Sequence, residues 1–91
     1  MNLALSEPHR VLVQRLVKGR EAAGLTQRDL AQRLGVDHSW VGKVETDRVG
    51  LNVIQVLKLA AALDLDPGEL LAGLGEMIDV PLVAARASEP K

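Results

Sequence analysis

The sequence predicts a protein built entirely of α-helices. Of its 91 residues, 47% are hydrophobic, and Trp40 is the only aromatic residue. The core must therefore consist of Leu, Val, Ile and Ala side chains, which pack well between helices. Apolar residues recur at helical spacing in several short segments, and each segment follows a residue that favours a helix start. The length suits one domain with a modest core.

The first predicted helix begins after Ser6, a favourable N-cap, and tolerates Pro8 in its first turn. Gly24 marks its end, because glycine readily closes a helix. The apolar stripe of this helix consists of Leu12, Val13, Leu16 and Val17.

Two further short helices are predicted on either side of Gly35, which permits the positive φ of a tight turn. Thr26 caps the first of them, and Asp29 completes an arrangement that resembles a capping box. Asp37 is the natural N-cap of the next. The buried stripes of the two helices are Leu30, Ala31 and Leu34, and then Val41 and Val44. The opposite face of the later helix carries His38, Ser39, Gly42 and Lys43, a small, polar and partly basic set suited to base edges in a major groove.

Asn52 can cap a fourth helix, and a short fifth helix is predicted after Asp66. Pro67 suits the first turn of the fifth helix and Glu69 suits its capping box, with an end near Leu74. The apolar stripe predicted for the fourth helix consists of Val53, Val56, Leu57, Ala60 and Leu63.

Charge is unevenly distributed along a chain whose net charge is −1. Residues 10–48 carry a net charge of +3 and residues 49–91 a net charge of −3. Such a dipolar chain could turn its basic half towards phosphates. The alternative is an ordinary mixed surface in water.

The composition argues against several classes of function. With no cysteine, and with His9 and His38 far apart, we expect no metal site and no disulfide, and nothing indicates a cofactor. A catalytic nucleophile paired with a base, a phosphate-binding glycine loop and clustered carboxylates are all lacking, so we expect a protein that is not an enzyme. No apolar run approaches the roughly 18 residues of a membrane span. We therefore expect a cytoplasmic, nucleoid-associated protein without membrane contact.

Together these segments resemble the phage repressor and Cro-like (XRE-type) helix-turn-helix family of prokaryotic regulators over about residues 9–72. The resemblance is carried by Leu25-Thr26-Gln27, Leu30-Ala31, Leu34-Gly35-Val36, Val41 to Glu45, Leu57-Lys58-Leu59-Ala60, Leu63 and Glu69-Leu70-Leu71. It implies a five-helix, lambda-repressor-like DNA-binding domain at residues 1–75, with the helix-turn-helix at about residues 26–45. A short C-terminal tail, residues 76–91, would follow.

The resemblance also implies roles for individual residues. The third helix would be the recognition helix, and Arg20 and Glu45 would form a largely buried salt bridge. Gln27 would sit over a phosphate and brace the start of the third helix near His38. Base-reading positions would be His38, Ser39, Gly42 and Lys43, and DNA-backbone contacts would come from Gln27, Arg28, Trp40, Thr46 and Arg48.

Each role has a simpler alternative. Gln27, His38 and Lys43 could merely face solvent, and Trp40 could fill a groove between helices instead of contacting DNA. Glycine at position 42 could reflect close approach to DNA or close packing against the second helix.

Two positions depart from the family pattern and concern the loop at residues 46–50. Asp47 stands where many relatives have Gly, and Leu51 stands where they often have Pro. We therefore expect this loop to follow a different path.

The tail is unusually apolar for a chain terminus. Ile78, Val80 and Leu82 alternate like one face of a strand, while Pro81 limits that strand to an edge or an exchanged arm. We expect this segment to close a homodimer; the alternative is a frayed end.

The function predicted from these observations is sequence-specific binding of double-stranded DNA. A homodimer would bind a palindromic operator and act as a transcriptional repressor that occludes a promoter. The alternative is an antitoxin or anti-activator that acts mainly by binding a partner protein.

Overall fold

The computed structural model describes residues 6–78, which form five α-helices and one 3₁₀ turn. The helices are α1 (Glu7–Ala22), α2 (Gln27–Leu34), α3 (His38–Glu45), α4 (Val53–Leu63) and α5 (Pro67–Leu71). The 3₁₀ turn spans Leu74–Met77. The described residues contain no β-strand, so the prediction of an all-α fold is confirmed.

All five helices start at the predicted caps, which are Ser6, Thr26, Asp37, Asn52 and Asp66. The capping box at α2 is complete: the Thr26 hydroxyl accepts from the Asp29 N–H at 3.0 Å, and the Asp29 carboxylate accepts from the Thr26 N–H at 2.9 Å. α4 has an equivalent box between Asn52 and Gln55. Local side-chain chemistry therefore accounts for every helix start.

The prediction for the fifth helix was wrong in two respects. Asp66 accepts from the Gly68 N–H, so Glu69 completes no capping box. The helix ends at Leu71 instead of near Leu74, because Ala72 leaves helical geometry and Gly73 takes φ 78°. Leu74 is nevertheless buried, in the 3₁₀ turn that packs against α1.

The core lies between α1, α2 and α4; α3 closes it by packing against α1 and α2, and α5 closes it by packing against α1 and α4. Its thirteen buried members are all aliphatic, and they are Leu12, Val13, Leu16, Leu30, Ala31, Val41, Val44, Val56, Leu59, Ala60, Leu63, Leu70 and Leu74. The predicted stripes of α1, α2 and α3 supply most of this set, although Val17 and Leu34 are only half-buried.

The stripe predicted for α4 was partly wrong. Leu59 is buried, whereas Val53 is 72% exposed and Leu57 is 44% exposed. Apart from Gln55 and Lys58, every residue of α4 is apolar, so the sequence pattern could not identify the face that meets the core.

Candidate nucleic-acid interface

α3 is held on one side and open on the other. Val41 and Val44 are buried against the core, while His38, Ser39 and Lys43 are exposed and Gly42 is half-buried. At 3.6 residues per turn these last four residues share one side of the helix. We call this set (His38, Ser39, Gly42, Lys43) the recognition face.

Asp37 holds the start of α3 through its side chain, which accepts from the Ser39 N–H at 3.1 Å. This hydrogen bond lowers the pKa of the Asp37 carboxyl below its ordinary value. The carboxylate therefore keeps its charge and its capping role at neutral pH. The His38 ring lies 3.8 Å from the same carboxylate.

Gly42 is free of close packing inside the protein. A Cβ placed there would meet only the Gln27 Oε1, at 3.7 Å, which is an ordinary van der Waals contact. Tight packing against α2, one of the two reasons considered for glycine at this position, is therefore absent.

The end of α3 is anchored by a charged cluster around Glu45. The Arg20 guanidinium donates through Nε to Glu45 Oε2 at 2.6 Å and through a terminal nitrogen to Oε1 at 3.0 Å. The pair has the geometry of a two-point Arg–carboxylate bond, and only 12% and 9% of the two side chains are exposed. The Arg20–Glu45 salt bridge implied by the family resemblance is thus formed. The hydrogen bond to Glu45 raises the pKa of Arg20, although burial opposes the shift.

Gln27 belongs to the same cluster. Its amide Nε2 donates to Glu45 Oε1 at 2.8 Å, so the expectation that Gln27 braces the start of α3 near His38 was wrong. It braces the end of α3 instead, because the carboxylate that Arg20 orients provides the better acceptor. The amide nitrogen has a second hydrogen available for another acceptor.

Trp40 lies on the flank of α3 that faces α4. It is half-buried against the core and borders an open groove lined by Leu34, Val36, Gln55 and Lys58. The ring therefore partly fills a space between helices, which is the alternative considered for it, and it retains some exposed surface.

The loop after α3 closes the helix through its backbone. The Asp47 N–H donates to the Val44 carbonyl at 3.0 Å, and the Arg48 N–H donates to the Lys43 carbonyl at 2.8 Å. This pair of bonds is a Schellman motif, and Asp47 takes the left-handed φ of 60° that such a motif requires. The expected change of path is therefore not seen at Asp47, which adopts the backbone that glycine favours. Leu51 is half-buried against the core.

Thr46 and Arg48 are both exposed in this loop. The Thr46 hydroxyl donates to the Gly42 carbonyl at 2.8 Å, and the same carbonyl accepts from the Thr46 N–H at 3.1 Å.

Sequence reasoning missed the side-chain partner of Asp47. His9, in the first turn of α1, places Nδ1 2.8 Å from Asp47 Oδ1. The one available signal was the acidic residue at a position where the family pattern has glycine.

Several cations counted in the basic half of the chain stabilise the fold. Arg15 donates to the carbonyls of Leu70 and Ala72 at 2.9 and 2.8 Å, and Arg33 donates to the Ala62 carbonyl at 2.9 Å. Charge counting therefore overstated the cations available to phosphates. The exposed cations on the α2–α3 unit and the loop after it include Arg28, Lys43 and Arg48.

Of the predicted dimerisation residues, only Ile78 is described, and its side chain is 55% exposed. Val80 and Leu82 lie outside the described residues. Within residues 6–78, no group of three His, Asp or Glu side chains is placed to hold a metal ion. In that same part of the chain, no helix has the length and apolar character of a membrane span.

Comparisons with known proteins agree with this geometry. The family model of a helix-turn-helix domain matches residues 11–74. The chain belongs to the helix-turn-helix family of XRE-type regulators. An XRE-family-like protein from Pseudomonas syringae pv. tomato is 36% identical and has a TM-score of 0.70, over 79% of this chain and 88% of that one.

Two other solved structures extend the comparison. The restriction-modification controller protein C.AhdI from Aeromonas hydrophila is 44% identical, with a TM-score of 0.63, over 68% of this chain and 94% of that chain. A chain in the SinR protein/SinI protein complex is 27% identical, with a TM-score of 0.60, over 85% of this chain and 79% of that chain. No match was found among curated protein sequences.

This XRE-type chain is therefore a DNA-binding transcription regulator by family and not an enzyme. The predicted family, fold class and non-enzymatic nature are confirmed.

Proposed function

We propose that this regulator binds a palindromic operator as a homodimer and represses transcription by occluding a promoter. The observation that carries the proposal is the recognition face, a polar surface on a helix whose opposite side is buried and whose end is anchored at Glu45. A helix held in this way can enter a major groove without losing contact with its own core.

Each residue of the recognition face has a role in this proposal. Lys43 donates to guanine or to a phosphate, while His38 and Ser39 offer polar groups to base edges. Gly42 lets the backbone of α3 approach the bases closely.

Contacts to the DNA backbone come from residues around the recognition face. Gln27 donates its second amide hydrogen to a phosphate, and Arg28, Thr46 and Arg48 contact neighbouring phosphates. The exposed edge of Trp40 packs against a sugar. These contacts make affinity fall steeply as salt concentration rises.

Two exposed apolar surfaces support self-association. One lies at the end of the described chain, where Met77 and Ile78 are exposed, and continues in sequence to Val80 and Leu82. The other is the outer face of α4, where Ile54 is 58% exposed between Val53 and Leu57. We call Val53, Ile54 and Leu57 the α4 face.

We assign the α4 face to a second copy of this chain. None of its three members is charged, and exposed Lys58, one turn after Ile54, borders the face. An apolar surface of this kind can meet its own copy across a two-fold axis with the lysines at the rim. A two-fold dimer would place two recognition helices about 34 Å apart on one side of the DNA.

The alternative, an antitoxin or anti-activator that binds a partner protein, is favoured by the same exposed apolar surfaces. A similar chain has been solved as part of the SinR protein/SinI protein complex. In that case the α4 face would receive another protein, and DNA binding would be secondary.

The experiment is a titration of the purified protein with the DNA upstream of its own gene, followed by Trp40 fluorescence and by mobility shift. Scrambled DNA of the same length is the control for sequence. Lys43→Ala should cost about 1 to 3 kcal/mol of operator binding. Lys18→Ala, which removes the same charge from exposed α1 surface, should cost much less.

Tight, palindrome-dependent binding that Lys43→Ala weakens would support the proposal. Equal binding to operator and scrambled DNA would contradict it and favour the protein-partner alternative. Equal losses on both DNAs in Lys43→Ala would assign Lys43 to a phosphate.

A further inference from the structure

A side-chain contact joins the first turn of α1 to the loop after the recognition helix. His9 Nδ1 lies 2.8 Å from Asp47 Oδ1, across 38 residues of sequence. Only 14% of the His9 side chain and 21% of the Asp47 side chain are exposed. The contact is therefore largely shielded from water, unlike an ordinary surface pair.

The chemistry of the two groups defines the direction of this hydrogen bond. An ionised carboxylate only accepts, so His9 Nδ1 carries the proton and donates it. His9 Nε2 is buried and has no hydrogen-bond partner among residues 6–78. Within that range, Asp47 is the polar partner of the His9 ring.

The backbone of Asp47 takes a left-handed conformation at the end of α3. Its φ of 60° is a conformation that glycine adopts freely and that aspartate adopts more readily than most residues, as Asp64 does with φ 56° at the end of α4. Glycine would close α3 equally well, but it could not reach His9. Aspartate at this position therefore closes α3 and also places a carboxylate within hydrogen-bond distance of His9. We call the His9–Asp47 hydrogen bond the tether.

The tether is the second link between α1 and the end of the recognition helix. Arg20, near the end of α1, holds Glu45, and His9, at its start, holds Asp47. The two linked carboxylates lie on either side of Thr46. Asp47 also precedes Arg48, whose N–H donates to the carbonyl of Lys43.

We propose that His9 is a positioning residue for DNA binding: through Asp47 it orients the loop so that Arg48 meets a phosphate. The proposal rests on the function proposed above and adds a residue that lies outside the DNA interface. His9 touches no DNA in this arrangement and acts only through the loop.

The test compares His9→Asn with His9→Leu. The Asn amide N–H can take the place of the Nδ1 donor, whereas Leu keeps comparable bulk and removes the donor. Both variants lack the imidazole, so their net charges match. We expect His9→Leu to lose about tenfold in operator affinity, with a salt dependence reduced by about one phosphate contact. His9→Asn should remain within about twofold of the parent protein.

Two further measurements link the effect to the loop. In an Arg48→Ala background, the difference between His9→Leu and His9→Asn should disappear, because the tether then has no phosphate contact to orient. In the free protein, the Arg48 amide should exchange hydrogen faster in His9→Leu than in His9→Asn. This last readout needs no DNA, so it tests the tether even if the operator proposal fails.

A second pair serves if His9→Leu does not fold. Asp47→Asn keeps an acceptor for His9, and Asp47→Gly removes it while easing the backbone; both remove the same charge. Asp47→Gly should bind the operator more weakly than Asp47→Asn. Equal affinity, salt dependence and amide exchange within either pair would overturn the proposal. Equal damage from His9→Asn and His9→Leu would also overturn it, since ring packing would then be the cause.

Discussion

Replacing Gly42 with Ala should change folding and DNA binding in opposite directions. Glycine inside a helix is destabilising by about 1 kcal/mol relative to alanine. The added methyl would meet only Gln27 Oε1 at 3.7 Å, so no clash opposes this gain. We therefore expect Gly42→Ala to raise the free energy of unfolding by about 0.5 to 1 kcal/mol, or the Tm by a few degrees.

The same methyl would project from the middle of the recognition face. If the α3 backbone approaches the bases at this point, the methyl occupies space that the DNA needs. We expect operator affinity to fall at least about tenfold, equivalent to about 1.4 kcal/mol. Thermal unfolding measures the gain in stability, and a mobility-shift titration at constant salt measures the loss of operator affinity.

Gly68→Ala is the matched control. It is also a helical glycine, in α5, and its added Cβ would lie 3.4 Å from Asp66 Oδ1, again without a severe clash. It should leave operator binding unchanged. If Gly42→Ala is stabilised and binds the operator as tightly as the parent protein, the close approach of α3 to DNA is refuted.

Three other perturbations test the anchor, the cap and the dimer. Glu45→Ala should lower the free energy of unfolding in urea by about 3 kcal/mol, because it leaves Arg20 and Gln27 without their shared acceptor. The double variant Arg20→Met with Glu45→Met should recover much of that loss. A cost below about 1 kcal/mol for Glu45→Ala would show that the cluster is not a strong anchor. The Asp37 carboxyl has a lowered pKa in the folded state, so its stabilisation is present above its ordinary pKa of 3.8 and is lost as pH falls through the lowered value. Asp37→Asn keeps the cap and should weaken the fall of Tm with acidity, and identical acid profiles for the two proteins would contradict this. Ile54→Asp should convert the dimer to a folded monomer, measured by sedimentation. Truncation after Gly75 should do so only if the tail is the dimer interface. A dimer that survives both changes would show that neither surface is the interface.

Local chemistry made much of this fold predictable from sequence. A cap works within three or four residues, so the starts of all five helices could be read directly. Asp29 with Thr26 is an example, since both partners of the capping box belong to one turn. The residues of the recognition face could also be predicted from the sequence, because the buried positions of Val41 and Val44 define the opposite side of α3.

Faces without polar contrast were harder to predict. α4 is apolar on nearly every side, so its periodicity did not show that Leu59 faces the core and Leu57 faces outwards. The end of α5 was also hard to predict. It occurs where Ala72 and Gly73 leave helical geometry, and the Arg15 guanidinium, from α1, donates to the carbonyls of Leu70 and Ala72 there.

The sequence by itself determined the family, the helix starts and the composition of the exposed face of α3. Only the tertiary structure decided which polar and charged side chains stabilise the fold. Arg33 satisfies a helix end, Gln27 binds Glu45 and His9 reaches Asp47, each across at least 18 residues of chain. The physical reason is range: capping and periodicity act within a turn or two of helix, whereas a partner for a long polar side chain is set by how whole helices pack.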